Sequence, residues 1–152
     1  MSYDKNQPFE QRMKVNIAET KFEEYCKKQN IQFYKYGIDN HSFGNLFYNV
    51  NKIFRNTPDY IILNPKTKQS YLVEVKGCKD NLGIKLTDLK SYDFWRSLSG
   101  LYYCIYSTTF NELRMISHET LKSVVEGCEV NQYPDFNKYD EKLYYEIPFK
   151  EL

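Results

Sequence analysis

Asp59, Glu74 and Lys76 are the residues of this chain whose types and spacing point most directly to chemistry. Side chains alternate along a strand, so across residues 70 to 76 Leu72, Glu74 and Lys76 share one face while Val73 and Val75 share the other. Asp59 follows Pro58 and opens an earlier apolar run over residues 59 to 63. The turn residues Asn64-Pro65-Lys66-Thr67-Lys68 separate the two runs. A hairpin is the economical connection, and pairing of its strands brings Asp59 close to Glu74. Two adjacent carboxylates suit Mg²⁺, which takes one or two carboxylates and completes its shell with water and phosphate oxygens. A lysine beside them can orient or deprotonate a water. Together these are the minimum equipment for metal-assisted hydrolysis of a phosphodiester.

As a bare string, an acid followed two residues later by lysine carries little information. It occurs at Glu19/Lys21, Glu74/Lys76, Asp88/Lys90 and Asp140/Lys142. Pro-Asp also recurs, at Pro134-Asp135, without an apolar strand holding Glu-x-Lys after it. Only Pro58-Asp59 with Glu74-Val75-Lys76 has the strand, turn, strand context. The plain alternative for Glu74 and Lys76 is an ion pair on a solvated strand face.

The surrounding pattern supplies elements to hold these groups. Pro8 suits the first turn of a helix, and Phe9, Met13, Ile17, Phe22 and Tyr25 recur at roughly helical spacing up to about Asn30. Residues 31 to 38 read as a strand and 39 to 56 as a polar loop. Gly77 is expected to end the second hairpin strand, and Asp80-Asn81-Leu82-Gly83 reads as a loop. Thr87 is placed to cap a helix carrying Leu89, Tyr92, Trp95 and Leu98, which Gly100 stops. Strands follow at 101 to 107 and 113 to 116. Ser117 caps a helix through Val125 with Gly127 after it, and 143 to 147 forms a last strand. The order α, β, β, β, α, β, β, α, β predicts an α/β fold, a mixed β-sheet flanked by helices, in one domain over residues 1 to 152.

Pro58-Asp59, then Glu74-Val75-Lys76 with Gly77 behind them, resemble the signature of the PD-(D/E)XK nuclease superfamily. The stretch from Glu19 to Tyr25, then Lys27 to Phe33, looks like the opening of phage Holliday-junction resolvases of the endonuclease I type. The resemblance spans about residues 12 to 107 and implies a restriction-endonuclease-like fold and a metal-dependent endodeoxyribonuclease. It implies Asp59 and Glu74 as ligands of Mg²⁺, for which Mn²⁺ substitutes, with help from the Val75 carbonyl. Lys76 would position the attacking water and stabilise charge on the phosphate. Glu19, in the first helix, would add or orient a ligand. Some members carry Gln followed four residues later by Tyr in the next helix. Here Asp88 and Tyr92 hold that spacing, which leaves phosphate contact to Lys85 or Lys90. DNA, branched DNA first, is the implied substrate, and a homodimer the implied assembly. The rival expectation is a catalytically silent nuclease-fold protein acting as a nucleic-acid or protein adaptor.

Composition frames these expectations. With 152 residues, 41% hydrophobic and 27% charged, the chain has ordinary globular make-up. A net charge of +1 gives no global pull on nucleic acid or membranes, so binding must be local. Lys76, Lys79, Lys85 and Lys90 against Asp80 and Asp88 supply a local excess, and Lys79, Lys85 and Lys90 are the candidate phosphate contacts. No Walker A, GxGxxG, GxSxG or HExxH sequence occurs. Cys26, Cys78, Cys104 and Cys128 are widely spaced without a CxxC, which fits reduced thiols in the cytoplasm. No apolar run approaches the roughly 20 residues of a membrane span. His41 is expected in a loop and His118 in the first turn of a helix, neither as a catalyst. The high content of Tyr and Phe is read mainly as core and rim.

Overall fold

A computed structural model of the chain describes residues 9–38, 43–132 and 143–152, with side chains of the first helix described from Ile17 onward. Pro8, His41 and the Pro134-Asp135 pair lie outside the described residues. Helix α1 spans Phe9–Lys28 and leads through Asn30, which adopts a left-handed φ of 55°, into strand β1, Gln32–Lys35. Asparagine tolerates this conformation better than most residues, and it lets the Ile31 N–H bond back to the Cys26 carbonyl at 2.9 Å.

The hairpin of β2, Tyr60–Asn64, and β3, Gln69–Cys78, is antiparallel, with Tyr60 opposite Val73. Strand β5, Leu101–Ser107, runs parallel to β3, and β6, Glu112–Ser117, runs antiparallel to β5. The result is a five-stranded mixed sheet in the order β1-β2-β3-β5-β6. The parallel step between β3 and β5 needs a crossover, which strand β4, Asn81–Lys85, and helix α3, Leu86–Leu98, provide.

Alternation along β3 divides the core. Val73 and Val75 pack with Tyr60, Ile62, Cys104 and Tyr106 under Ala18, Phe22 and Cys26 of α1. Leu72 faces the other way, with Leu101, Tyr103 and Ile105, toward α3 and helix α4, His118–Glu126. The buried stripe of α1 is therefore Ala18, Phe22 and Cys26, one residue every turn, while the expected Tyr25 is 36% exposed. Ser117 caps α4 as expected, accepting from the Thr120 N–H at 3.1 Å.

Several sequence expectations are corrected. Gly77 does not end its strand, because pairing with β5 carries β3 on to Cys78. The expected loop at 80–83 is strand β4, whose Leu82 and Ile84 are buried. It joins β8, Leu143–Pro148, and β7, Val130–Gln132, in a second sheet of order β4-β8-β7. Helix α3 starts at Leu86, so Thr87 lies inside the first turn rather than at the cap. Part of the expected loop at 39–56 is a 3₁₀ helix, Gly44–Asn49, and a short helix α2, Lys52–Arg55. The side chain of Asn51 caps α2, accepting from the Ile53 N–H at 2.9 Å.

Candidate active site

The register of the hairpin determines what Asp59 meets. Tyr60 is the last residue of β2 paired with β3, and the pairing continued by one step sets Asp59 across from Glu74. There the backbone ladder stops and the Asp59 side chain takes over: its Oδ2 accepts the Val75 N–H at 2.9 Å. In an extended strand a residue's N–H and C=O point to the same edge, so the Val75 carbonyl lies on this edge also. The Asp59 carbonyl accepts from the N–H groups of Tyr36 and Gly37, at 2.8 and 3.2 Å. A Cβ on Gly37 would stand 3.2 Å from the Asp59 Cα and 3.4 Å from its Oδ1, so a side chain here would press on Asp59 by a few tenths of an ångström.

Glu74 and Lys76 sit together on the α3 face of β3. Their side chains are 13% and 19% exposed, and Lys76 Nζ lies 3.9 Å from Glu74 Oε1. The Asp59 and Glu74 carboxyl groups feel each other's charge, and the buried Tyr92 of α3 lies near enough to feel both. The Lys76 ammonium stands 5.7 Å from the centroid of the Tyr92 ring. Burial pushes the Glu74 carboxyl well above its ordinary range, and the neighbouring Asp59 charge adds to the rise that Lys76 opposes. Burial raises Asp59 too, against the pull of the Val75 N–H and Lys76.

Glu19 reaches the same place from α1, on the opposite face of the sheet. It is 8% exposed, and burial, then the charge of Asp59, holds its carboxyl above the usual range. Oε2 lies 3.5 Å from Lys35 Nζ, whereas the buried Oε1 has no hydrogen-bond partner among the described residues. Among those residues no three acidic, histidine or cysteine side chains close into a complete metal cage. The arrangement instead offers a carboxylate pair, a third carboxylate with an unsatisfied oxygen beside it, and a peptide edge. These hard oxygen donors fit Mg²⁺ or Mn²⁺, which keep part of their water shell.

The expected phosphate contacts are more scattered. Lys79 is exposed just beyond the end of β3, and Lys85 is half-buried at the junction of β4 and α3. Lys90 is exposed on α3, two residues from Tyr92 and hence on the far side of that helix. Lys35, Gly37, Asp88 and Tyr92 join the site without having been picked as functional from the sequence. Asp88 is bonded by Asn56 Nδ2 at 3.2 Å and by Lys52 at 3.5 Å, and its charge also bears on Glu74. The one-turn spacing of Asp88 and Tyr92 was the available signal for α3. Lys35 and Gly37 gave none, since their place depends on β1 pairing with β2.

A search of protein families finds no match to the sequence, and a search of curated proteins finds none either. Solved structures do match. Hjc, a Holliday junction resolvase from the archaeal hyperthermophile Archaeoglobus fulgidus, superposes with a TM-score of 0.52 at 13% identity, covering 91% of this chain and 86% of that one. D212, a nuclease from a fusselovirus, superposes with a TM-score of 0.53 at 12% identity, covering 97% and 89%. This chain shares the fold of these two nucleases. In this nuclease fold the five-stranded mixed sheet flanked by helices is the frame, and Asp59, Glu74 and Lys76 project from its β2–β3 hairpin.

Proposed function

We propose that the protein is a divalent-metal-dependent DNA endonuclease with Asp59, Glu74, Lys76 and Glu19 at its active centre. The observation that carries this reading is the convergence of Asp59 and Glu74 beside Lys76, with Glu19, whose buried Oε1 has no partner among the described residues, close enough to Asp59 to feel its charge. Buried like charges are costly, and they are tolerated where a cation or a reaction uses them. Asp59, Glu74 and the Val75 carbonyl would hold Mg²⁺ or Mn²⁺, with Glu19 adding or orienting a ligand. When bound, such an ion supplies charge neutralisation at the phosphate and lowers the pKa of water.

The chain's own groups account for the rest. The Val75 N–H fixes Asp59, and Tyr92 of α3 lies buried beside Glu74. Lys76 is held between Glu74 and the Tyr92 ring, where its ammonium can orient a water and stabilise negative charge developing on a phosphate. Lys79, Lys85 and Lys90 are the proposed contacts to the DNA backbone. Branched DNA is the first substrate to test, because one structural neighbour is a Holliday junction resolvase. A homodimer would bring two such sites to two strands.

The test incubates the protein with labelled four-way junction, linear duplex and single-stranded DNA, in Mg²⁺, Mn²⁺ or EDTA, beside Lys76→Ala. We expect cutting that needs the metal and falls by at least a hundredfold in the variant, the scale on which loss of a charge-stabilising group acts. Absence of cutting by the folded wild-type protein, or equal cutting by Lys76→Ala, would overturn the assignment and favour an adaptor that binds without metal.

A further inference from the structure

Between Phe43 and Pro58 the chain presents a surface that the acid site leaves unused. Phe43, Leu46, Tyr48 and Phe54 are 47%, 65%, 62% and 56% exposed. Large apolar side chains left uncovered together along one short segment mark an interaction surface more often than a plain one. Lys52 and Arg55 are interleaved with them, and no acidic side chain occurs from Phe43 to Pro58.

The segment is fastened down. Trp95 Nε1 of α3 donates to the Ile53 carbonyl at 3.0 Å, and Asn56 Nδ2 donates to Asp88 Oδ1 and Ser91 Oγ, both at 3.2 Å. The Tyr48 ring is held against Phe47, edge to face at a centroid distance of 5.5 Å, and lies 5.7 Å from the Arg55 guanidinium. Phe47 itself is buried. Tyr48 is thus an outward-facing ring on a fixed mount. The mount is continuous with the active centre: Pro58-Asp59 follows directly, and the Asp88 that Asn56 binds bears on the charge of Glu74.

The chemistry of the surface selects its occupant. The segment itself carries no acid, and with Arg55 and Lys52, the latter also meeting Asp88 at 3.5 Å, it complements a polyanion. Aromatic rings stack on a base only where the face of that base is open, which means unpaired nucleotides rather than the interior of a duplex. A two-fold contact between copies of this chain would instead set Lys52 and Arg55 against themselves. We infer that Tyr48 and Phe54, with Lys52 and Arg55, form a stacking platform for unpaired nucleotides of a DNA substrate beside the scissile phosphate. The inference rests on the nuclease reading and narrows its substrates to DNA with unpaired bases next to the cut: single strands, forks, flaps or an opened junction.

Binding is measured in EDTA, where cleavage plays no part, by fluorescence anisotropy with a labelled single-stranded oligonucleotide, a fork with unpaired arms and a blunt duplex. Wild type is compared with Tyr48→Ala, Phe54→Ala and Tyr48→Phe, each checked by thermal melting. The single strand and the fork should bind more tightly than the duplex. Each alanine should weaken them about tenfold and leave the duplex unchanged, while Tyr48→Phe, which keeps the ring, should bind like wild type. Unchanged binding by folded alanine variants, or equal loss on the duplex, would overturn the platform. So would self-association in sedimentation that the alanines abolish while DNA binding persists, which would make the patch a contact between copies. The two readings fail separately. Stacking without cleavage in Mg²⁺ sinks the nuclease assignment alone, and cleavage with alanine-insensitive binding sinks the platform alone.

Discussion

At the Asp59–Glu74 pair, packing opposes the charge that the proposed chemistry needs. Burial raises both carboxyls, Glu74 strongly, so the folded protein keeps these protons to a higher pH than the unfolded chain does. The unfolded chain ionises first, near the ordinary carboxylate range of about 4. The pair's contribution to stability is therefore full below that range and is lost as pH rises through the higher folded values. Glu74→Gln removes the conflict. In EDTA at neutral pH it should stabilise the protein by about 1–2 kcal/mol, at roughly 2–4 °C of melting temperature per kcal/mol, while abolishing cleavage. Mg²⁺ should raise the melting temperature of wild type more than that of the variant. Melting curves from pH 4.5 to 7 check this, and a variant with the same pH slope and the same Mg²⁺ response would remove Glu74 from the site. Alternation around Val73 and Val75 made Glu74 and Lys76 legible together in the sequence, and Pro58 marked Asp59. Tyr92 is hidden in a helical apolar stripe, where a tyrosine beside Glu74 looks the same as one packed in the core.

Among the elements, α3 and α4 dock on β5 through apolar packing and through a polar chain centred on the buried His118. His118, 2% exposed, joins the Tyr103 hydroxyl through Nδ1 and Asp93 through Nε2, both at 2.7 Å, and Lys122 of α4 meets the same Asp93 at 3.0 Å. His118 thus fixes α4 to α3 and to the sheet, through a Tyr103 that stands next to Glu74 in the register of β3 and β5. His118→Ala should cost about 2–4 kcal/mol, through a cavity and a Tyr103 hydroxyl left unpaired, yet leave metal-dependent cleavage in place below the melting point. Tyr103→Phe should then cost much less in the His118→Ala background than in wild type, and additive costs in this double-mutant cycle would show that the two side chains are not coupled. The position of His118 after a Ser117 cap was readable from the sequence; its partners were not, because Asp93 and Tyr103 come from other elements. Strand β4 was missed for a similar reason. Leu82 and Ile84 do alternate, but Asn81 and Gly83 between them carry turn chemistry. The partner that overrides it, β8, lies some sixty residues away, with Leu82 opposite Ile147.

For the whole molecule, the second sheet explains what the C-terminal third contributes. Ile147 and Phe149 complete the core over Leu82 and Ile84. Arg114 of β6 ties down the chain end by donating to the carbonyls of Phe149 and Leu152, each at 2.8 Å. None of this adds positive charge over the whole surface, and the net charge stays at +1. Binding to duplex DNA must then come from a few cations near the site while the carboxylates repel the same backbone. Each neutralised phosphate contributes about −0.9 to the slope of log affinity against log salt. A handful of contacts from residues such as Lys79 and Lys85 predicts a shallow slope of about −2 to −4 on a blunt duplex in EDTA. Lys79→Ala or Lys85→Ala should reduce it by about one, and Mg²⁺ at fixed ionic strength should strengthen binding by screening the acids. Titrations at several salt concentrations decide the matter. A slope near −8, indifferent to both substitutions, would mean that a broad basic surface outside this hairpin holds the DNA, and the site would have to be approached from a different side.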